Sequence, residues 1–294
     1  MAQGAMAQRR AAPPQPVPLA KSTAIAKSQA EVPRLLHMPI LSWPPLAHRE
    51  RLPELMDQPG LDPELHAQAL VGLRRINAVS RSAACLFEPI RALARAMPPD
   101  AAPLRLLDVA CGGGDVALDL AALAQRQGLA LAVEGCDISP QAVALAEARA
   151  QERGLEASFF VADVLADPLP DRFEIGFDVI VSSLFLHHLD TADAETLLAL
   201  LAGSSRQLLL ISDLLRTPLG YGLAWAGTQL LSRSHIVHID GLLSVRGAFQ
   251  LAEVAALAKR AGLDGVDLRR CWPERYLLSW APASAVLKPA GRRG

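Results

Sequence analysis

The sequence predicts an α/β fold: a mostly parallel sheet of seven strands with an antiparallel last strand, helices on both faces and a helical cap before it. Three observations carry this. From Leu104 onward, short apolar runs alternate with helical patterns. Those runs are nearly continuous, which marks strands buried on both faces of a parallel sheet covered by helices. The chain also closes on two strand candidates whose separation is too short for a crossover helix, so the last pair is expected to be an antiparallel hairpin.

Residues 1–45 hold eight of the 22 prolines and no helical or alternating period, and are expected to form a disordered tail. Their basic, acid-poor character loosely resembles a transit peptide, but the prolines argue against the amphipathic helix that such a segment needs. Residues 46–98 are expected to form the helical cap. Asp62-Pro63 starts one helix, with Leu65, Ala69, Leu73 and Ile76 at three- and four-residue spacing, and Phe87, Ile90 and Leu93 mark another. Pro98-Pro99 then breaks the chain. The main domain is expected over residues 99–294, with strands at Leu104 to Val109, Leu131 to Cys136, Phe159 to Ala162, Phe177 to Ser182 and Leu208 to Ser212. Ser139-Pro140 opens a helix that Gly154 ends, a second runs from Thr191 to a stop at Gly203, and a third spans Ala248 to Ala261 before Gly262. Strands near Val266 to Arg270 and Tyr276 to Trp280 complete the sheet.

At 51% hydrophobic and 20% charged, the chain suits a packed globular protein. Only 4% is aromatic, and beyond residue 45 acids outnumber bases, which argues against a nucleic-acid partner. Cys85, Cys111, Cys136 and Cys271 lie far apart without a CxxC pair, so they are expected to be reduced thiols in a cytoplasmic protein, with no zinc site or disulfide framework. No apolar run reaches the roughly 18 residues that a membrane-spanning helix needs. The oligomeric state is not legible.

Chemistry concentrates at Asp108-Val-Ala-Cys-Gly-Gly-Gly-Asp115, a strand running into a glycine turn that opens a helix. Glycines let the backbone approach a ligand closely, and the loop after the first strand is where open α/β sheets bind ligands. The same residues satisfy the dinucleotide pattern G-x-G-x-x-A, so an NAD(P)-dependent oxidoreductase is an alternative. Asp137, ending the second strand, suits ribose hydroxyls in either class. Asp163, ending the third, is less expected of a dinucleotide site and suits an adenine amino group.

Together these motifs make residues 104–280 resemble the class I S-adenosylmethionine-dependent methyltransferases, whose fold is Rossmann-like. The resemblance implies S-adenosylmethionine as cofactor. It implies Asp108, Gly112 and Gly114 around its methionine part, Asp137 at the ribose, Ile138 against the adenine, and Asp163 with Val164 at the adenine edge. Ala110 belongs to the same turn, where many members have glycine. The stretch Phe177 to His188 resembles the fourth family motif, which puts Ser182 and Ser183 near the methionine end.

His187 and His188 are the candidate proton acceptors, because imidazole titrates near neutrality. Residues 216–246 are expected to be a lid insertion over the acceptor, with Tyr221, Trp225, His235, His238, Asp240 and Arg246 as substrate-binding candidates. The helix from Gly220 to Leu231 has membrane-surface contact as its alternative. His235-x-x-His238-x-Asp240 superficially resembles a metal triad, but its spacing does not suit a helical metal motif, and no metal is expected. The reading is a methyltransferase acting on an apolar small molecule, a phenol, quinol or polyketide-like compound, with O-methylation favoured over C-methylation. A non-catalytic protein that binds S-adenosylmethionine is the further alternative.

Overall fold

A computed structural model describes residues 46–56, 61–98, 100–166, 173 and 176–285. The tail expected over residues 1–45 lies outside them. Helix α1 (Pro63–Ser80) is capped by Asp62, whose carboxylate accepts from the backbone N–H groups of Glu64 and Leu65. It ends at Arg81, in the left-handed region, and α2 (Ser82–Ala96) follows at once, burying Leu86, Phe87, Ile90 and Leu93. Strand β1 (Leu104–Val109) leads into α3 (Asp115–Arg126), and β2 (Leu131–Asp137) into α4 (Pro140–Arg153), which Ser139 and Gly154 cap as expected. Then come β3 (Ala157–Val161), β4 (Phe177–Ser183) with a short 3-10 turn at Leu186–His188, α5 (Thr191–Ser204) and β5 (Ser205–Leu214). Helices α6 (Pro218–Leu231), α7 (His235–Gly247) and α8 (Leu251–Arg260) precede β6 (Asp267–Cys271) and β7 (Arg275–Trp280).

The sheet order is β3-β2-β1-β4-β5-β7-β6, with β7 antiparallel to both neighbours and β1 to β5 parallel, as the apolar runs predict. Successive strand residues point to opposite faces. Leu106, Val179, Leu208, Leu210 and Leu277 join one core with Phe87 of α2 and Leu118 of α3. Leu107, Ile180, Leu209, Ile211 and Leu278 join the other with Leu197 of α5 and Leu257 of α8. Removing each such leucine from water contributes about 1.5–3 kcal/mol, which is why the strands read as unbroken apolar runs.

Three expectations are corrected. Gly203 lies within the last turn of α5 instead of ending it. Helix α8 begins at Leu251, because Ala248 caps the end of α7 and Gln250 with Glu253 forms a capping box. Cys85 of α2 and Cys271 of β6 are joined as a disulfide, while Cys111 and Cys136 are free. That pairing spans 186 residues, so no local spacing signals it. Among the described residues, no helix is long and apolar enough to cross a membrane.

Candidate functional site

A cavity of about 590 Å³ opens at the carboxyl ends of β1 and β4, walled by α1, α6 and α7. Its floor is the glycine turn. Ala110 has φ +56° and Gly112 φ +52°, so the chain here passes twice through left-handed backbone. The Gly112 N–H donates to Asp137 Oδ2 at 2.8 Å and the Cys111 N–H to the Cys136 carbonyl, which pins the turn to β2. A Cβ at Gly114 would stand 2.8 Å from the Ala146 side chain, so close packing against α4 demands glycine there.

Asp108 lines the cavity, is 1% exposed, and its Oδ2 lacks a hydrogen-bond partner among the described residues. Burial pushes this carboxyl up to about 8, with the charge of Asp137 adding to the rise and a backbone hydrogen bond from Ala117 opposing it. A cationic ligand group is what this carboxyl lacks. Ala110 and Gly112 also stand on the wall; Gly114 does not. Asp137, half-buried, and Ile138, exposed, lie at the end of β2, with exposed Asp163 and buried Val164 just past β3. These four share the carboxyl edge of the sheet but not the cavity wall. Ser183 lines the cavity, whereas buried Ser182 donates to the Val109 carbonyl.

His187 and His188 both stand on the wall as well. His187 is 4% exposed: its backbone N–H donates to Asp213 Oδ2 at 2.9 Å, its Nδ1 lies 2.7 Å from Asp213 Oδ1, and its Nε2 lies 3.7 Å from Glu54 Oε1. Burial alone would lower its pKa, but the charge of Asp213, the hydrogen bond to Asp213 and the nearby Glu54 carboxylate outweigh that and raise it to about 10. Asp213 is likewise buried, yet the neighbouring imidazolium and two backbone N–H donors hold it below the usual carboxylate range. The expectation of an imidazole titrating near neutrality is therefore corrected: His187 is held as imidazolium between two acids.

Glu54 reaches this point on a strap, residues 46–56, laid over α7 and the 3-10 turn. Arg49 donates to the carbonyls of His187, Leu189 and Gly247 and stacks on Phe249. Arg216 donates to the Leu46 carbonyl and pairs with Glu253. Asp240 accepts from the N–H groups of Leu55 and Met56, at 2.8 and 3.0 Å. Glu54 itself accepts from Ser244 Oγ at 2.5 Å.

None of the six substrate-binding candidates lies on the cavity wall. Asp240 anchors the strap, Arg246 pairs with Glu50, and His238 Nε2 lies 3.0 Å from the Ser232 carbonyl. His235 and Trp225 are exposed, and Tyr221 is half-buried. Helix α6 turns its other face inward, presenting Gly220, Leu223, Ala224, Gly227 and Leu231. Tyr221 and Trp225, four residues apart, share the outer stripe. Sequence reasoning missed Glu54, whose only signal is an acid among hydrophobic residues upstream of α1.

Residues 106–206 match the family model described as methyltransferase domain. The chain is 29% identical over 181 residues to the ubiquinone biosynthesis O-methyltransferase of Xanthomonas euvesicatoria pv. vesicatoria, covering 60% of this chain and 70% of that protein. It is 44% identical over 70 residues to the demethylmenaquinone methyltransferase of Thermus thermophilus, a stretch that covers 24% of this chain and 30% of the relative's length. A solved structure from Nostoc punctiforme, described as an O-methyltransferase, superposes with a TM-score of 0.53 at 15% identity, covering 89% of this chain and 69% of that one; this likeness concerns the fold.

Proposed function

We propose, for a chain that carries a class I methyltransferase domain of the small-molecule type using S-adenosylmethionine, that it methylates a hydroxyl oxygen of an apolar phenol, quinol or polyketide-like acceptor. The observation that carries this is a cavity lined both by the glycine turn and by Glu54 and His187. Its size falls within the roughly 300–1,000 Å³ range of small-molecule sites. Leu70, Leu73, Ile76 and Leu223 supply its apolar wall, and Val79, Leu230 and Trp272 carry the apolar lining to the surface, at 57%, 83% and 67% exposure. Such a mouth suits an acceptor with an apolar body or chain.

The residues present fit the donor. The unpartnered Asp108 oxygen suits its ammonium group, the open space above Gly112 admits it, and Asp137, with Ile138, Asp163 and Val164, suits its nucleoside. When bound, S-adenosylmethionine supplies an electrophilic methyl group on a sulfonium sulfur, so alignment of the acceptor oxygen is the main requirement. Two carboxylates around one imidazolium leave the Glu54–His187–Asp213 array with a net negative charge. Glu54 takes the acceptor's proton as the methyl group is transferred, and Asp213 fixes the His187 ring beside it. The mild acidity of the chain past residue 45 supports an enzyme without a nucleic-acid partner.

Incubation with methyl-labelled S-adenosylmethionine and a series of alkylated phenols and hydroquinols tests this, with the product's labelled position read by mass spectrometry. An O-methyl product is expected. Label found only on carbon, or transfer to none of the hydroxyl acceptors, rejects it.

A further inference from the structure

The cavity wall at Glu54, His187 and His188 carries more ligand atoms than a proton acceptor needs. His187 Nδ1 is committed to Asp213 at 2.7 Å, which fixes the ring and leaves Nε2 facing Glu54 at 3.7 Å. The His188 ring stands beside it, centroids 4.2 Å apart. One ligand atom each from Glu54, His187 and His188 lies within 4.8 Å of the others, and all three residues line the cavity. Histidines that bind metal usually donate their other ring N–H to a carboxylate, which orients the ring and raises its basicity, and Asp213 occupies that position here. Two imidazoles and one carboxylate, with the remaining directions open to a cavity, are the donor set of a transition-metal site, not of the all-oxygen sites of calcium or magnesium. The set is assembled by tertiary structure: Asp240, Arg49 and Arg216 hold the strap that brings Glu54 to the two histidines.

We propose that Glu54, His187 and His188 bind one divalent transition-metal ion, such as zinc, with its open positions directed at the acceptor hydroxyl. This departs from the expectation of no metal, for which His235, His238 and Asp240 were the set weighed. Ligand bonds of about 2.0–2.2 Å require these atoms to draw closer together than 4.8 Å, with Glu54 giving up its hydrogen bond from Ser244. Binding the ion releases the Nε2 proton of His187 to solvent, because a ligating imidazole is neutral, and the ion then takes over from Glu54 by polarising the acceptor oxygen as a Lewis acid. That use rests on the reading of the cavity as the acceptor pocket; the binding itself does not.

The test uses the full chain, stripped with a chelator, dialysed, and titrated with cobalt(II) by visible absorption and with zinc(II) by calorimetry. One ion per chain and the intense visible bands of a low-coordinate nitrogen–oxygen site are expected. Affinity should fall roughly tenfold or more in Glu54→Gln and in His188→Ala, and stay unchanged in His48→Ala, an exposed imidazole off the cavity wall. Absence of stoichiometric binding by the unaltered protein overturns the proposal without recourse to any variant, as does affinity in Glu54→Gln and His188→Ala that matches the unaltered protein. Binding of labelled S-adenosylmethionine is measured in parallel. Its loss with metal binding intact refutes the methyl-transfer reading alone, and the reverse outcome refutes the metal site alone.

Discussion

Asp213→Asn removes one charge from a buried array while keeping the shape of the side chain. At 2.7 Å the Asp213–His187 pair has a gross attraction of about 6 kcal/mol at an effective dielectric of about 20. Breaking a buried pair by altering one partner typically costs about 3–5 kcal/mol net. For a chain of this size that lowers the melting temperature by roughly 6–20 °C. The pH dependence separates this from a general packing defect. His187 has a folded pKa raised to about 10, above its unfolded value of 6.5, so its contribution is fully present below pH 6.5 and is lost as pH rises toward 10. The Asp213 carboxyl, held low, contributes above its unfolded value of 3.8 and loses that contribution as pH falls. The stability gap between the native protein and the variant should therefore be widest at about pH 4–6.5 and shrink toward pH 10. Turnover should fall by about 10²–10⁴, since an amide leaves His187 without the charge that positions it, while affinity for S-adenosylmethionine stays within about threefold. The assays are thermal unfolding across pH, initial rates of labelled methyl transfer, and equilibrium binding of the donor. A stability gap flat with pH, or turnover within about threefold of native in a folded variant, refutes the reasoning.

Asp108→Asn should stabilise the donor-free protein at alkaline pH, by up to about 5 kcal/mol at pH 8, because a carboxyl raised from 3.8 to about 8 costs stability once it must ionise. The gain vanishes below about pH 4, and donor affinity falls; calorimetric unfolding and donor titration check both. Ala110→Gly relieves left-handed backbone at φ +56° and should stabilise by at most about 1 kcal/mol, read as a small upward shift in a denaturation midpoint. Gly227→Phe points a ring into open space on the cavity wall, where an added Cβ meets nothing within 4 Å. The Michaelis constant for a hydroxyl acceptor should rise about tenfold or more with donor binding unaffected, and equal losses of both would count against separate donor and acceptor ends.

The sheet was legible because its leucines and valines are buried on both faces, so Leu106 and Leu107, or Leu208 to Ile211, read as apolar runs even though neighbours enter opposite cores. The caps at Asp62, Ser139 and Gly154 were legible because capping is local. The pairing of Cys85 with Cys271 and the arrival of Glu54 beside His187 were not, since each depends on chain segments more than 130 residues apart. Within the segment 216–246 the helices reach the cavity wall, but through other residues than those expected. Tyr221 and Trp225 drew attention as large residues, yet the face of α6 that lines the cavity is built of glycine, alanine and leucine, whose smallness is what leaves room for a ligand.

The strap also divides authorship of the cavity. The glycine turn and strand ends proposed to face the donor fall within residues 106–206, the stretch that matches the methyltransferase domain model, whereas Glu54 and the walls from α1, α6 and α7 fall outside it. A change of acceptor is therefore open to this architecture without disturbing the half that handles the donor, by exchanging a strap, one helix before the sheet and a helical pair after β5. The same partition sets a practical rule for cutting the protein. A fragment trimmed to residues 106–206 would lose Glu54 together with most of β5 and all of β6 and β7, so its inactivity would say nothing about the whole chain.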